Sequence, residues 1–283
     1  MDEILPALPP ELEREVFETT ALMYPGAIPT LLRVARRVFI WVEPLLYRVV
    51  RVSDQVVHSD SMAAALLSAA RSAPPGGSLR GVRHLLCAES ESWTLEDAKD
   101  VLKHCAELTD LSLITSSIPL DATILPVLEG LRIHRLAAHL AEMFSGTHSI
   151  DLSHPAFSSI THLDIGDEVD DRLCSQIALM PALTHLMQNG KVPWVSMLMV
   201  FGQCQLLQVI IVNYQYLAKD AAIMWATQCP KHDARLVVAF YYNYEDDWEL
   251  GARDLPDIWS LATDFVARKR KGDINVGDYI LQT

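Results

Sequence analysis

One phrase recurs along this chain and limits the folds open to it. In its clearest copy, Ile160 to Ile165, apolar side chains stand at the first, fourth and sixth places, here Ile160, Leu163 and Ile165. The spacing returns at Val82/Leu85/Cys87, Leu108/Leu111/Leu113, Ile133/Leu136/Ala138, Leu183/Leu186 and Leu207/Ile210/Val212, with a looser copy at Ala234/Val237/Ala239. The fourth places fall at 85, 111, 136, 163, 186, 210 and 237, in steps of 26, 25, 27, 23, 24 and 27 residues. Because the chain is 50% hydrophobic, one copy would carry no weight. Seven at near-constant spacing require a repeated unit.

Within each copy the fourth and sixth residues share one side of a strand, and the rest of the period is long enough to return as a helix. A second landmark fits. Cys105, Met180 and Cys204 each stand six residues before the next fourth place, where a small soft residue would close a returning helix; Cys229 stands eight before Val237. The period lies in the leucine-rich-repeat range of roughly 20–29 residues. The expected class is α/β, a short leucine-rich-repeat solenoid with a curved parallel sheet and helices on its convex side.

Four segments follow. Residues 1–52 hold short helical stretches: Leu12, Val16 and Phe17 form an apolar stripe, Tyr24-Pro25-Gly26 breaks it, and a second stretch runs from about Pro29 through Val42 before Pro44. Tyr47/Val50/Val52 fits the strand template, so the series can begin there. Residues 53–80 hold a helix over Ser61 to Ala70 and a linker around Pro74-Pro75-Gly76-Gly77. The solenoid occupies 81–240, with Thr94, Asp121, Asp170 and Pro193 opening helices. In 241–283, Tyr241 to Glu249 reads as an acidic, aromatic loop or terminal strand whose carboxylates are solvated. Ile258, Leu261, Ala262, Phe265 and Val266 mark a C-terminal cap helix ending in Arg268-Lys269-Arg270-Lys271.

The third and fifth places of each strand must face away from the fourth and sixth. That puts His84, Asp110, Arg135, His162 and His185 in one row and Leu86, Ser112, Ala137, Asp164, Met187 and Ile211 in the next, a mixed concave face suited to binding a protein. His162 and His185 fall on adjacent strands near Asp164, but zinc needs three or four converging ligands, so no metal is expected. No Gly-x-Ser-x-Gly elbow, Gly-rich phosphate loop or His-Glu-x-x-His segment is present, and neither catalytic residues nor a cofactor are expected. A net charge of −13 argues against nucleic acid and favours a basic or neutral partner. Five scattered cysteines, an acidic start and no long apolar run suggest a soluble intracellular protein that is cytoplasmic, with nuclear entry open through the basic cluster.

Leu8-Pro9-Pro10-Glu11-Leu12, Val16-Phe17, Leu31 with Val34 to Val38, and Trp41 to Tyr47 together resemble the F-box-like segment of a fungal family in which degenerate leucine-rich repeats follow. The resemblance covers most of the chain. It implies a non-enzymatic substrate receptor of a Skp–cullin–F-box ubiquitin ligase. Leu8, Pro9, Leu12, Val16, Phe17 and Leu32 would touch a Skp-type adaptor, and His84, Asp110, Arg135, His162, Asp164 and His185 would hold an unknown protein substrate. The sequence departs from the general pattern at Val38, where Trp is usual, and around Tyr24 to Ile28. The alternative is a scaffold whose N-terminal helices only cap the solenoid. On these assignments Leu163→Ala should cost about 2–5 kcal/mol and His162→Ala under about 1.

Overall fold

The computed structural model of the chain describes residues 8–53, 59–72, 78–88, 93–114, 119–145, 149–167, 170–189, 193–214, 219–229, 233–240 and 243–281. The Pro74–Gly77 linker, the first seven residues, Tyr241 and Tyr242 lie outside them.

Eight strands form one parallel sheet in sequential order: β1 (Val49–Val52), β2 (His84–Cys87), β3 (Asp110–Leu113), β4 (Arg135–Ala138), β5 (His162–Ile165), β6 (His185–Asn189), β7 (Val209–Asn213) and β8 (Leu236–Ala239). The register aligns the repeat. Val50, Leu85, Leu111, Leu136, Leu163, Leu186 and Ile210 pair neighbour to neighbour in one unbroken row. All are buried in a single apolar cluster together with the helices of the first face. Each copy alone exposes an apolar row, and stacking gives it two neighbours.

The last copy departs from the sequence reading. Ile210 pairs with Leu236, so Leu236 and Val238, rather than Val237 and Ala239, join the first-face cluster. A slip of one residue exchanges the two faces of a strand. In Arg235 to Phe240, where nearly every residue is apolar, the pattern could not distinguish the two registers.

The first-face helices include α4 (Ser59–Ser72), α5 (Leu95–Leu102), α6 (Leu125–Glu129), α7 (Leu140–Met143), α8 (Asp171–Ile177), α9 (Trp194–Gln203) and α10 (Lys219–Thr227). Their starts follow local chemistry. The Thr94 hydroxyl accepts from the Asp97 amide while the Asp97 carboxylate accepts from the Thr94 amide, a reciprocal cap for α5. Asp170 accepts from Leu173 N at 2.8 Å at the head of α8. Pro126 sits at the start of α6, where no amide donor is required. Cys105, Met180 and Cys204 are buried against the cluster, as expected of residues closing the returning segments.

The N-terminal helices are α1 (Pro10–Met23), α2 (Ile28–Leu31) and α3 (Arg36–Leu46). The stretch expected to run from Pro29 through Val42 is split at Ala35, which is extended, and Pro44 lies inside the last turn of α3. These helices share a small core of Ala21, Ile28, Val38 and Val42, with Phe17, Leu31, Leu32 and Trp41 packed on it. Val38 is therefore a buried core residue. The group meets the sheet where a short 3-10 turn over Ser78–Gly81 crosses α3. A Cβ at Gly81 would sit 2.6 Å from the Pro44 carbonyl oxygen, so only glycine permits this approach.

The C-terminal segment differs most from expectation. Tyr244–Ala252 is a helix, α11, because Asn243 caps it and three acidic residues occupy its first turn. It is followed by α12 (Ile258–Lys271), opened by an Asp257/Ser260 capping box and closed by Gly272 at φ 86°. Both lie on the second face of the sheet. Ile258, Ala262, Phe265 and Val266 pack on Met187, Val209, Ile211, Val237 and Ala239 in a cluster of their own. The tail reaches the open edge at β8: the Val238 amide donates to Tyr279 O and the Leu281 amide to Val238 O. Lys269, expected in a solvated basic cluster, is buried between the Phe265 and Tyr279 rings and donates to Leu236 O at 2.8 Å.

Candidate recognition surfaces

The third-place row is continuous in register: Val49, His84, Asp110, Arg135, His162, His185 and Val209 pair in turn. Arg51, Leu86, Ser112, Ala137, Asp164, Met187 and Ile211 make the parallel row beside it. All six residues assigned to partner binding therefore share one face. That face is covered by α11 and α12.

The covering is polar over β1 to β5. Arg51 reaches Glu245 at 2.7 Å, Asp246 at 2.8 Å and Glu249 at 3.3 Å. The expected solvated acidic cluster is thus a clasp around one guanidinium. Trp248 Nε1 donates to Asp110 Oδ1 at 3.1 Å, while Asp110 Oδ2 lies 3.4 Å from His84 Nδ1. Tyr244 and Ser112 hydroxyls are 2.9 Å apart. Arg135 pairs with Asp257 at 2.9 Å.

His162 and His185 stack face to face, with ring centres 4.1 Å apart and planes 6° apart, and Trp259 abuts both edge-on. Each Nδ1 meets the hydroxyl of the preceding threonine, and His185 Nε2 meets Thr263 Oγ1 at 3.1 Å. Parallel stacked rings cannot aim nitrogen lone pairs at one point. Among the described residues no group of three or more His, Cys, Asp or Glu side chains is arranged to hold a metal ion. Burial drives both rings toward the neutral form, His162 down to about 2 and His185 to about 4.

Asp164 is the anomaly of this face. It is buried, and neither carboxylate oxygen has a hydrogen-bond partner. Burial raises it to about 7, and Asp247, bonded to the Ile258 amide, also rises to about 7. Both flank a cavity of about 30 Å³ shared with Asp110, Arg135, Trp248 and Asp257. That volume suits a water molecule or two.

The residues assigned to adaptor contact divide. Leu8, Pro9, Leu12 and Val16 are exposed, whereas Phe17 and Leu32 are half-buried against the helical core. At about 100° per residue, Leu12, Val16 and Met23 lie within one quarter of the α1 circumference, and Leu8 precedes the helix. Phe17 and Ala21 point the opposite way, into the core. The helix is thus apolar on two sides, and the outer one is open: Leu12, Val16 and Met23 are 50%, 52% and 64% exposed, and Leu8 just before it 44%. On α3, Phe39 and Ile40 are also exposed.

Sequence reasoning missed Arg51, Tyr244, Trp248, Asp257 and Trp259. Arg51 was within reach, since it holds the fifth place of the Tyr47/Val50/Val52 copy; the others needed the C-terminal fold.

The fold and these two surfaces define an α/β protein with a single parallel sheet built from sequential repeats, carrying an open apolar helix at one end and a polar face under its own C-terminal helices. No model of a known protein family matches the chain, and no curated protein matches it. Among the described residues no helix is long and apolar enough to cross a membrane.

Proposed function

We propose that this chain is a non-enzymatic protein-recognition module, acting as the substrate receptor of a Skp–cullin–F-box type ubiquitin ligase. Its N-terminal helices are the F-box-like docking element, its sheet a leucine-rich-repeat solenoid, and the part of the second face around His84 and Asp110, beneath α11, the substrate-binding side; Arg135, His162 and His185 are engaged by α12 and Asp164 is buried beside them. Function here is positioning, and other subunits carry out the chemistry.

One observation carries this reading. Leu12, Val16 and Met23 are exposed on one side of a helix whose opposite side already satisfies the local core, with Leu8 exposed just before it. Water is a poor neighbour for a contiguous apolar row, and such patches mark protein contacts. The contact of Pro44 with the turn at Gly81 supports a second reading, in which α1 to α3 are only a lid on the sheet. A lid accounts for the inner side of α1 and leaves the outer stripe without a purpose.

Co-purification with the Skp-type adaptor tests it. Wild type should retain the adaptor, and Leu12→Asp with Val16→Asp should lose it with the fold intact, because both side chains are already in water. Equal, negligible retention by both chains would leave the lid reading. Phe17→Asp is unsuitable alone, since it also breaks the helical core.

A further inference from the structure

We propose that α11 is a releasable strap over the β1 to β3 part of the second face, and that an acidic, tryptophan-bearing helix of the bound protein takes its place, matched to the local Arg51 although the whole chain carries a net charge of −13. The inference deepens the reading of this face as the recognition surface and rests on it.

The two covering helices are held by different chemistry. α12 is seated mainly dry, with Ile258, Ala262, Phe265 and Val266 against the aliphatic residues of β6 to β8 and polar contacts from Asp257, Thr263 and Lys269 besides. α11 is seated mainly by charge and hydrogen bonds, with Glu245, Asp246 and Glu249 on Arg51, Trp248 on Asp110 and Tyr244 on Ser112, while the Tyr244 ring also touches the dry cluster and Asp247 accepts from the Ile258 amide of α12. Salt screens the partly exposed ionic contacts and leaves the dry ones unaffected. Between the two regions sit Asp164, unpaired, and the small cavity. The connection contains Asp254 at φ 59°, a left-handed backbone in a short turn that joins two separately capped helices.

The chemistry of α11 describes what replaces it. Tyr244 and Trp248 are four residues apart, as are Glu245 and Glu249, so a single side of the helix presents two aromatic rings and two carboxylates to the sheet. With α11 lifted, the sheet offers Arg51 and His84 around the Ser112 hydroxyl and the Asp110 acceptor, while Arg135 stays paired with Asp257 at the head of α12. A helix of the pattern aromatic-acidic-x-x-Trp-acidic would meet every one of the groups α11 leaves.

Two measurements on the full chain test this. In native-state hydrogen exchange, amides of 244–252 should exchange at least about tenfold faster than those of 258–271, with the gap widening in high salt and in Arg51→Ala. A labelled synthetic peptide of residues 243–254 should bind Trp248→Ala, whose own strap is weakened, at least about tenfold more tightly than wild type, and should not bind Arg51→Ala/Trp248→Ala. Equal protection of the two helices overturns the strap. A strap that opens while the peptide binds none of the chains overturns the occupant, and with it the face as a recognition surface; the adaptor result is independent of both.

Discussion

Replacing Asp164 with asparagine should change how stability depends on pH. The side chain lies on β5 beneath α11 and α12, buried, with neither oxygen paired. Burial moves the carboxyl from 3.8 up to about 7. At roughly 1.36 kcal/mol per pH unit, the charged form therefore costs the fold up to about 4 kcal/mol, a ceiling that relaxation of the surroundings lowers to about 1–3. The folded state holds this proton more tightly than the unfolded state. Its contribution is complete below pH 3.8 and is lost as pH rises through about 7. Asparagine has the same shape and no charge to bury.

The assay is the urea midpoint of wild type and Asp164→Asn at about pH 5 and about pH 8. Wild type alone would mislead, because His162 and His185 pull the other way: their folded values lie below the ordinary 6.5, so they lose stability as pH falls from 6.5 toward about 4. The difference between the two proteins removes the histidine contribution. Asp164→Asn should gain about 1–3 kcal/mol relative to wild type between the lower and the higher pH. Parallel profiles, or a variant that fares worse at the higher pH, would mean that Asp164 is a paired carboxylate and that the account of this cavity is wrong.

Other outcomes follow from the same geometry. Leu163→Ala removes a fully buried link of the central row and should cost about 2–5 kcal/mol by denaturant midpoint. His162→Ala, expected to be nearly silent when this face is taken as open, should instead cost about 1–3, because it loses the His185 stack and the Trp259 edge. Gly81→Ala should destabilise by about 1–3 kcal/mol as its Cβ is forced onto Pro44, whereas alanine at Gly202, which meets nothing within 4 Å, should cost little.

The sheet was legible because its information is periodic. A row of aliphatic residues recurring about every 25 positions has few arrangements that hide it, and seven copies average out the faults of any one. The register failed only at β8, where Leu236, Val237, Val238 and Ala239 are all apolar and a period of two cannot be read. The sequence also identified the correct residues for the second face but not what lies over it. The acidic run at 245–249 looks solvated until Arg51, nearly two hundred positions away, is placed beneath it. Only tertiary contact reveals such a pairing. Lys269 was misjudged for the same reason, since its three basic neighbours imply solvent and its ring contacts come from Tyr279 across a turn.

An open parallel sheet has two edges that could recruit another strand, and the chain treats them differently. At β8 the tail pairs with Val238, and Lys269 donates to the Leu236 carbonyl, so backbone groups there are engaged from within the molecule. The β1 end carries α1 to α3 instead, joined through the tight contact at Gly81. A device that only closed that end would turn polar residues outward, as the exposed sides of capping elements do. Here the outward side of α1 carries Leu12, Val16 and Met23, with Leu8 just before it. The two ends therefore differ, one paired with its own tail and the other carrying a helix with exposed apolar side chains.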